Sequence, residues 1–283
     1  MTAPAPRPRP VLRYHGSKWR IAPRILKYFP PHRIYVEAFG GGASLLLRKQ
    51  PSKIEIYNDL DGEVVNLFRV LRDPQMRDAL VLALELTPYA RAEYVASFEH
   101  SDDPVESARR LVTRAYMGFG SNAGLRKSQC GFRGSDWSSR QANNHLWTTL
   151  PLALKVAADR FKGVVIENRP ALELLPAQDS AQTLFYLDPP YLLSTRAVSR
   201  TRWDKQYRFE MEDHEHVELA KAARALKGYV IVSGYPSLLY NDLYHDWTRI
   251  NLKAQTIGKA LDVHRIEVLW LSPRTAAALE GAA

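Results

Sequence analysis

The sequence holds one cysteine, Cys130, in 283 residues, which excludes an internal disulfide and a cysteine zinc cluster and agrees with a reducing compartment. It has no apolar run near the roughly 20 residues that a membrane span needs. Its start, Met1 to Pro10, is rich in proline and arginine and lacks the apolar core of a signal peptide, so a cytoplasmic location without membrane contact is expected. Metal-ligand spacing is also missing. His214 and His216 of the DHEH run stand two apart and point to different sides of a helix, and His15, His32, His145 and His264 stand alone, so no metal is expected. No Ser/His/Asp grouping is legible. The composition that remains, 46% hydrophobic and 24% charged, is that of a folded protein long enough to bury a core without staples.

Acid is absent from residues 1–36, which carry eight Lys and Arg. Two further basic segments, 109–140 and 195–208, carry net charges of +6 and +4, although the whole chain is only +9. The rest is therefore acidic, and such segregation suits a polyanion laid along the basic faces. Tyr116, Phe119, Phe132, Trp137, Trp203, Tyr207 and Phe209 are interleaved with these charges, and aromatics can stack on bases or wedge between them.

The order of segments predicts an α/β fold. Ile34–Val36, Lys53–Tyr57, Val164–Ile166, Thr183–Leu187, Tyr229–Val232 and Ile266–Leu271 read as strands. Between them Ser44–Lys49, Glu63–Leu71, Arg77–Leu86, Pro104–Met117, Leu152–Phe161 and His214–Leu226 read as helices, with Asp213 as a cap and Gly228 as a stop. Alternating strands and helices argue for a parallel sheet covered on both faces. Residues 118–145 are rich in glycine and polar residues and read as a long functional loop or hairpin. The expected organisation is a sheet domain of residues 1–62 and 156–283, interrupted by a mostly helical, basic insertion at 63–155.

Chemistry is expected beyond the carboxyl ends of the strands. Glu37-Ala38-Phe39-Gly40-Gly41-Gly42 is a glycine turn that lets a ligand approach the backbone. It is neither a dinucleotide fingerprint nor a phosphate loop. Asp59 ends the following strand, where an acid can accept hydrogen bonds from a ribose diol; together the two suggest a nucleoside-containing cofactor. Asp188-Pro189-Pro190-Tyr191 ends an apolar strand. Its prolines remove two amide donors, leaving the Asp188 carboxylate and the Pro189 carbonyl as acceptors beside an aromatic ring, a receptor for a flat amino group.

Tyr14-His15-Gly16-Ser17-Lys18, Val36–Gly42, Asn58-Asp59-Leu60-Asp61 and Asp188–Tyr191, in this order, resemble the Dam-type DNA adenine methyltransferases, most of all versions found in phages and prophages. The resemblance runs from about Val11 to Pro273 and includes the closing Arg265–Trp270 strand; Ala38 departs from it, since proline is frequent there. It implies a Rossmann-like methyltransferase sheet and transfer of a methyl group from S-adenosylmethionine to N6 of a flipped adenine in double-stranded DNA. Carried over, Tyr14, Lys18 and Glu37 lie near the cofactor, Phe39 to Gly42 wrap its methionine part, and Asp59 holds its ribose. Asp188, Pro189, Pro190 and Tyr191 hold the adenine, with Asp188 also at the cofactor. Phe119, Ser121, Asn122, Arg126, Lys127 and Arg133 are expected at the DNA, and a monomer is the default state. Amino-group transfer to RNA or to cytosine N4, and a decayed, purely DNA-binding protein, are the readings that compete.

Overall fold

The computed structural model describes residues 9–120, 123–124, 131–134, 143–195, 207–253 and 266–281. Seven strands form one sheet: β1 (Ile34–Glu37), β2 (Ile54–Asn58), β3 (Val164–Glu167), β4 (Thr183–Leu187), β5 (Tyr229–Gly234), β6 (Thr248–Lys253) and β7 (Ile266–Leu271), in the order β3-β2-β1-β4-β5-β7-β6. The first five are parallel, and β7 runs antiparallel to both β5 and β6. The chain leaves β1 towards β2 on one side and later returns to pair β4 on the other. A crevice therefore opens at the carboxyl ends of β1 and β4, where connections depart in opposite directions.

Alternation within the strands builds two cores. Tyr35, Tyr57, Leu184, Tyr186 and Ile231 join one hydrophobic cluster, while their neighbours Val36, Ile56, Phe185, Leu187, Val230 and Val232 join the other, as the two-residue period of a strand requires. Helices Gly62–Arg72, Pro74–Leu86, Pro104–Met117 and Leu150–Arg160 cover the first face, and Ala171–Ala177, Asp213–Ala225 and Leu238–Leu243 cover the second. The expected helices cover both faces, but the sheet is mixed and not wholly parallel: only β1 to β5 are parallel, and β7 returns antiparallel. The helices of residues 62–160 share the first cluster with the sheet, so this segment packs as a continuation of the same core. Three of its helices start alike: Asp61, Asp73 and Asp103 accept from backbone N–H groups of the first turn, and the last two are followed by proline.

Three further expectations are corrected. Strand β6 was absent from the sequence reading; it is an outer strand whose alternation of Thr248, Ile250 and Leu252 is short and half exposed. Ser44–Lys49 is a run of turns, not a helix, because Ala43 sits at φ 53° and the Leu46 N–H donates to Glu37 Oε2 at 3.0 Å. The amide that would continue a helix towards Gly42 is thereby taken. The helix after Met211 begins at Asp213, with Glu212 as its cap, one residue earlier than expected. His216 on that helix is buried and bonds the Tyr240 hydroxyl at 2.9 Å, so its role is structural.

The basic segment that starts at Arg109 is partly internal. Arg109 pairs with Glu106 and Glu93, Arg110 with Glu106, and buried Arg114 with Glu63 and the Ser97 carbonyl. Beyond them the chain forms a hairpin: Phe119 N–H donates to Gly131 O at 2.7 Å and Arg133 N–H to Met117 O at 2.8 Å.

At the outer end of β2, Glu55 is buried and receives Lys49 Nζ at 2.5 Å and Arg160 at 2.6 and 2.9 Å, joining the glycine-turn segment, the sheet and helix Leu150–Arg160. Removing one partner of such a cluster leaves uncompensated buried charge. Glu55→Ala is expected to lower stability by about 3–5 kcal/mol, read from urea unfolding.

Candidate active site

A cavity of about 210 Å³ opens at the carboxyl ends of β1, β2 and β4, lined by Tyr14 to Lys18, Glu37 to Gly42, Asn58 to Asp61, Arg169 to Leu172, Tyr186, Asp188, Pro190 and Tyr207 to Met211. Six segments far apart in sequence thus meet where the strand order reverses. The glycine turn forms one wall. Gly41 has φ +47°, and a Cβ there would lie 2.6 Å from the Tyr14 ring, while one on Gly40 would lie 2.1 Å from the Tyr57 ring. Neither position accepts a side chain without displacing its neighbours. The turn is pinned from β2: Gly41 N–H donates to Asp59 Oδ2 at 2.7 Å, the Tyr57 hydroxyl to Gly41 O at 2.7 Å, and Gly40 N–H to Asn58 O at 2.8 Å. Asn58 also bonds the carbonyls of Ala38 and Arg169, tying together the ends of β1, β2 and β3.

The wall is rich in carboxylates. Glu37 accepts from the Tyr35 hydroxyl and Leu46 N–H at 3.0 Å each. Burial pushes its carboxyl up to about 8, the hydrogen bonds opposing it only in part. Burial likewise raises Asp59 to about 6 against the amides of Asp61 and Gly41. Asp61 Oδ2 is buried and has no hydrogen-bond partner among the described residues, while its Oδ1 meets Arg208 at 3.1 Å. Arg208 also reaches Glu63 at 3.0 Å, which holds the Tyr207–Phe209 segment against the cavity. With Glu210, Glu215 and Glu218 also on the wall against Lys18, Arg169 and Arg208, the lining suits a ligand that carries positive charge and hydroxyl donors.

Asp188 lies at the end of β4. Lys18 Nζ is 2.7 Å from both of its oxygens, and the Ser233 hydroxyl donates to Oδ1 at 2.8 Å, itself receiving from the Tyr186 hydroxyl at 2.8 Å. Oδ1 is thus filled, and Oδ2 keeps a lone pair. Lys18 further donates to Gly16 O at 3.0 Å and to the Tyr191 hydroxyl at 2.6 Å. Desolvation would lower the pKa of this buried ammonium, but the charges of Asp188 and Glu267 outweigh it and hold it well above the usual lysine value. No donor among the described residues reaches the Pro189 carbonyl.

Tyr14, Lys18, Glu37, Phe39, Gly40, Gly41, Gly42, Asp59, Asp188 and Pro190 all line the cavity. Tyr191 does not. Its side chain is turned inward, its hydroxyl lies between Lys18 and Glu267, and its ring packs on Tyr235 with centroids 4.2 Å apart. The ring expected beside the adenine is 5% exposed and covered by Tyr235. Phe119, 66% exposed, and Arg133, whose guanidinium lies 5.6 Å from its ring centre, sit together at the base of the hairpin. Ser121, Asn122, Arg126 and Lys127 lie outside the described residues. Sequence reasoning missed Arg169–Leu172, Tyr186, Ser233 and Glu267. For Arg169–Leu172 the signal is its place after β3, and for Glu267 it is one acid in the apolar run IEVLWL.

Among the described residues there is no cluster of His, Cys, Asp and Glu fit for a metal ion, and no helix is long and apolar enough to cross a membrane. The model of the D12 class N6 adenine-specific DNA methyltransferases matches residues 14–257. No curated protein matches the chain.

The raised carboxyls make stability depend on pH. Glu37 and Asp59 carry pKa values of about 8 and 6 in place of 4.5 and 3.8. Their contribution is complete below the unfolded values and is lost as pH rises through the folded ones. The melting temperature of the ligand-free protein is expected to fall by several degrees between about pH 5.5 and 8.5, and Glu37→Gln to flatten that fall. Melts across that range check it.

Proposed function

The chain belongs to the D12 class of N6 adenine-specific DNA methyltransferases, and from that premise we propose that its cavity binds S-adenosylmethionine and a flipped adenine side by side. The protein is an enzyme that methylates adenine N6 in DNA, and S-adenosylmethionine is the methyl donor of such enzymes. The residues present fit that donor. The unpartnered Asp61 Oδ2 and the spare acceptors of Asp59 suit ribose hydroxyls, and the carboxylate excess suits a sulfonium and an ammonium. Glu37 beside the glycine turn would face the ammonium, whose charge would draw off the proton that burial retains. When bound, the donor supplies an electrophilic methyl group on a sulfonium.

The observation that carries the mechanism is the hold on Asp188. An exocyclic amino nitrogen is a poor nucleophile because its lone pair is delocalised into the ring. Hydrogen bonds from its two hydrogens, one to the open lone pair of Asp188 Oδ2 and one to the Pro189 carbonyl, favour a pyramidal nitrogen with that pair aimed at the methyl group. As the N–C bond formed at the expense of the methyl–sulfur bond, positive charge would grow on the nitrogen, and the fixed Asp188 carboxylate would stabilise it. One amino proton would then pass through Asp188 Oδ2 to water, leaving the donor as a neutral thioether. Lys18 orients Asp188 and Pro190 flanks the base. Tyr191 supports the turn from beneath, and its stacking on the adenine would require Tyr235 to leave its ring. Extrahelical delivery of the base is the general solution for enzymes that act on a base in a duplex.

The hairpin with Phe119 and Arg133, and the segment bearing Ser121, Asn122, Arg126 and Lys127, make the recognition surface of the 63–155 unit in this reading. Phe119 contributes an exposed ring and Arg133 a cation for phosphate or guanine.

Asp188→Ala is expected to reduce methyl transfer by at least about 100-fold with duplex affinity unchanged. The measurement is labelled transfer to unmethylated duplex, digestion to nucleosides and mass spectrometry. Label in N4-methylcytosine, or in RNA only, would overturn the substrate assignment. Phe119→Ala is expected to weaken duplex binding by about tenfold, and Arg133→Ala to lower the salt dependence of binding by about one ion, both read by anisotropy titration.

A further inference from the structure

Glu267 lies on β7, paired with Leu252 of β6, and is buried in a strand that otherwise buries apolar side chains. A carboxylate in such a place is costly unless something uses it. Its partners are few and close to the reacting groups: the Tyr191 hydroxyl at 2.9 Å from Oε2 and 3.2 Å from Oε1, and Lys18 Nζ at 3.7 Å. Lys18 is the same ammonium that spans both oxygens of Asp188. One buried cation therefore lies between two carboxylates, one reaching the cavity and the other behind it.

We propose that Glu267 is a positioning residue for methyl transfer: it anchors Tyr191 by its hydroxyl and shares Lys18 with Asp188, so that Asp188 keeps enough negative charge to hold the adenine amino group. The proposal rests on the reading of Asp188 given above. If Lys18 faced Asp188 alone, the two charges would cancel and the nascent cation on nitrogen would meet a neutral pair. With Glu267 ionised the cluster is negative, and the excess is felt at Asp188. Tyr191 gains from the same contact. It donates to Glu267 and accepts from Lys18, so both sides of its hydroxyl are used and the Asp188–Tyr191 turn is clamped to β7.

Among the described residues, the groups around Glu267 are Lys18, Asp188 and Tyr191, with Tyr186 on β4, Tyr235 after β5 and Tyr240 on helix Leu238–Leu243 behind them. Burial, reinforced by Asp188 and opposed by Lys18, raises Glu267 to about 7. Tyr186, Tyr191 and Tyr240 are all held well above their usual values, chiefly by burial. Ionisation of Glu267 is therefore expected at a higher pH than for an ordinary carboxyl. The sign is fixed: transfer is faster above the Glu267 pKa, where the carboxylate is charged, and slower below it.

The experiment is single-turnover methyl transfer to an adenine-containing duplex from about pH 6 to 9, with wild type, Glu267→Gln and Glu267→Asp. Glu267→Gln keeps an acceptor for Tyr191 and removes the charge. Expected are a wild-type rate that falls about tenfold on the acid side of pH 7, a Glu267→Gln rate about tenfold lower at pH 8 with that limb gone, and partial recovery in Glu267→Asp. Duplex and donor affinities should stay within about twofold. Carboxyl ¹³C resonances of glutamate-labelled protein give a second readout: the signal missing from Glu267→Gln should titrate near 7 in wild type. A wild-type rate and pH profile in Glu267→Gln would overturn the proposal. So would a less stable variant whose active fraction keeps the wild-type profile, or a Glu267 signal titrating in the ordinary carboxylate range. A wild type that binds donor and duplex but transfers nothing to adenine N6 would overturn the Asp188 reading, and this inference with it.

Discussion

The buried ammonium of Lys18 is the interaction on which the site depends. It joins an N-terminal segment before the first strand, through the Gly16 carbonyl, to Asp188 and Tyr191 after β4 and to Glu267 on β7. The Asp188 partner is 170 residues away along the chain. Closing such distances is entropically unfavourable, and a buried cation without its carboxylates would be worse. The cluster therefore forms only when the sheet is complete, and the acceptor geometry at Asp188 is a product of the whole fold. Ser233 and Tyr186 extend the same hold into β5 and β4.

Much of this was legible in the sequence, and the failures have physical reasons. Strands buried on both faces, such as TLFYL and YVIV, read clearly because their apolar runs end at Asp188 and at Ser233-Gly234. The motifs around Tyr14, Glu37, Asp59 and Asp188 were found, and the sheet brings them to one cavity. The direction of Tyr191 was not legible, because it is set by Glu267 across 76 residues. The Ser44–Lys49 segment has helical propensity that loses to a tertiary bond, the Leu46 amide to Glu37.

Charge was the least faithful guide. Arg109, Arg110, Arg114 and Arg208 belong to segments that looked like polyanion-binding surface, yet they pair with Glu63, Glu93, Glu106 and Asp61. The Glu106–Arg109–Arg110 part was readable, since residues three and four apart share a helix face. The Arg114–Glu63 and Arg208–Asp61 pairs span elements and were not. The arginine count of a segment therefore overstates the charge left for a polyanion, while Phe119 at the hairpin base is exposed and carries Arg133 beside its ring.

The interrupted helix after the glycine turn has an electrostatic consequence. Where a glycine turn opens a regular helix, aligned peptide dipoles place about half a positive charge at its first amides, a setting that attracts phosphate. Here Ala43 in the left-handed region and the captured Leu46 amide break the alignment, and the Gly41 amide is already closed by Asp59. The turn thus offers little of the anion-binding field of nucleotide-phosphate sites. A cavity so built, with its excess of carboxyl groups, favours a cationic ligand over a polyanionic one.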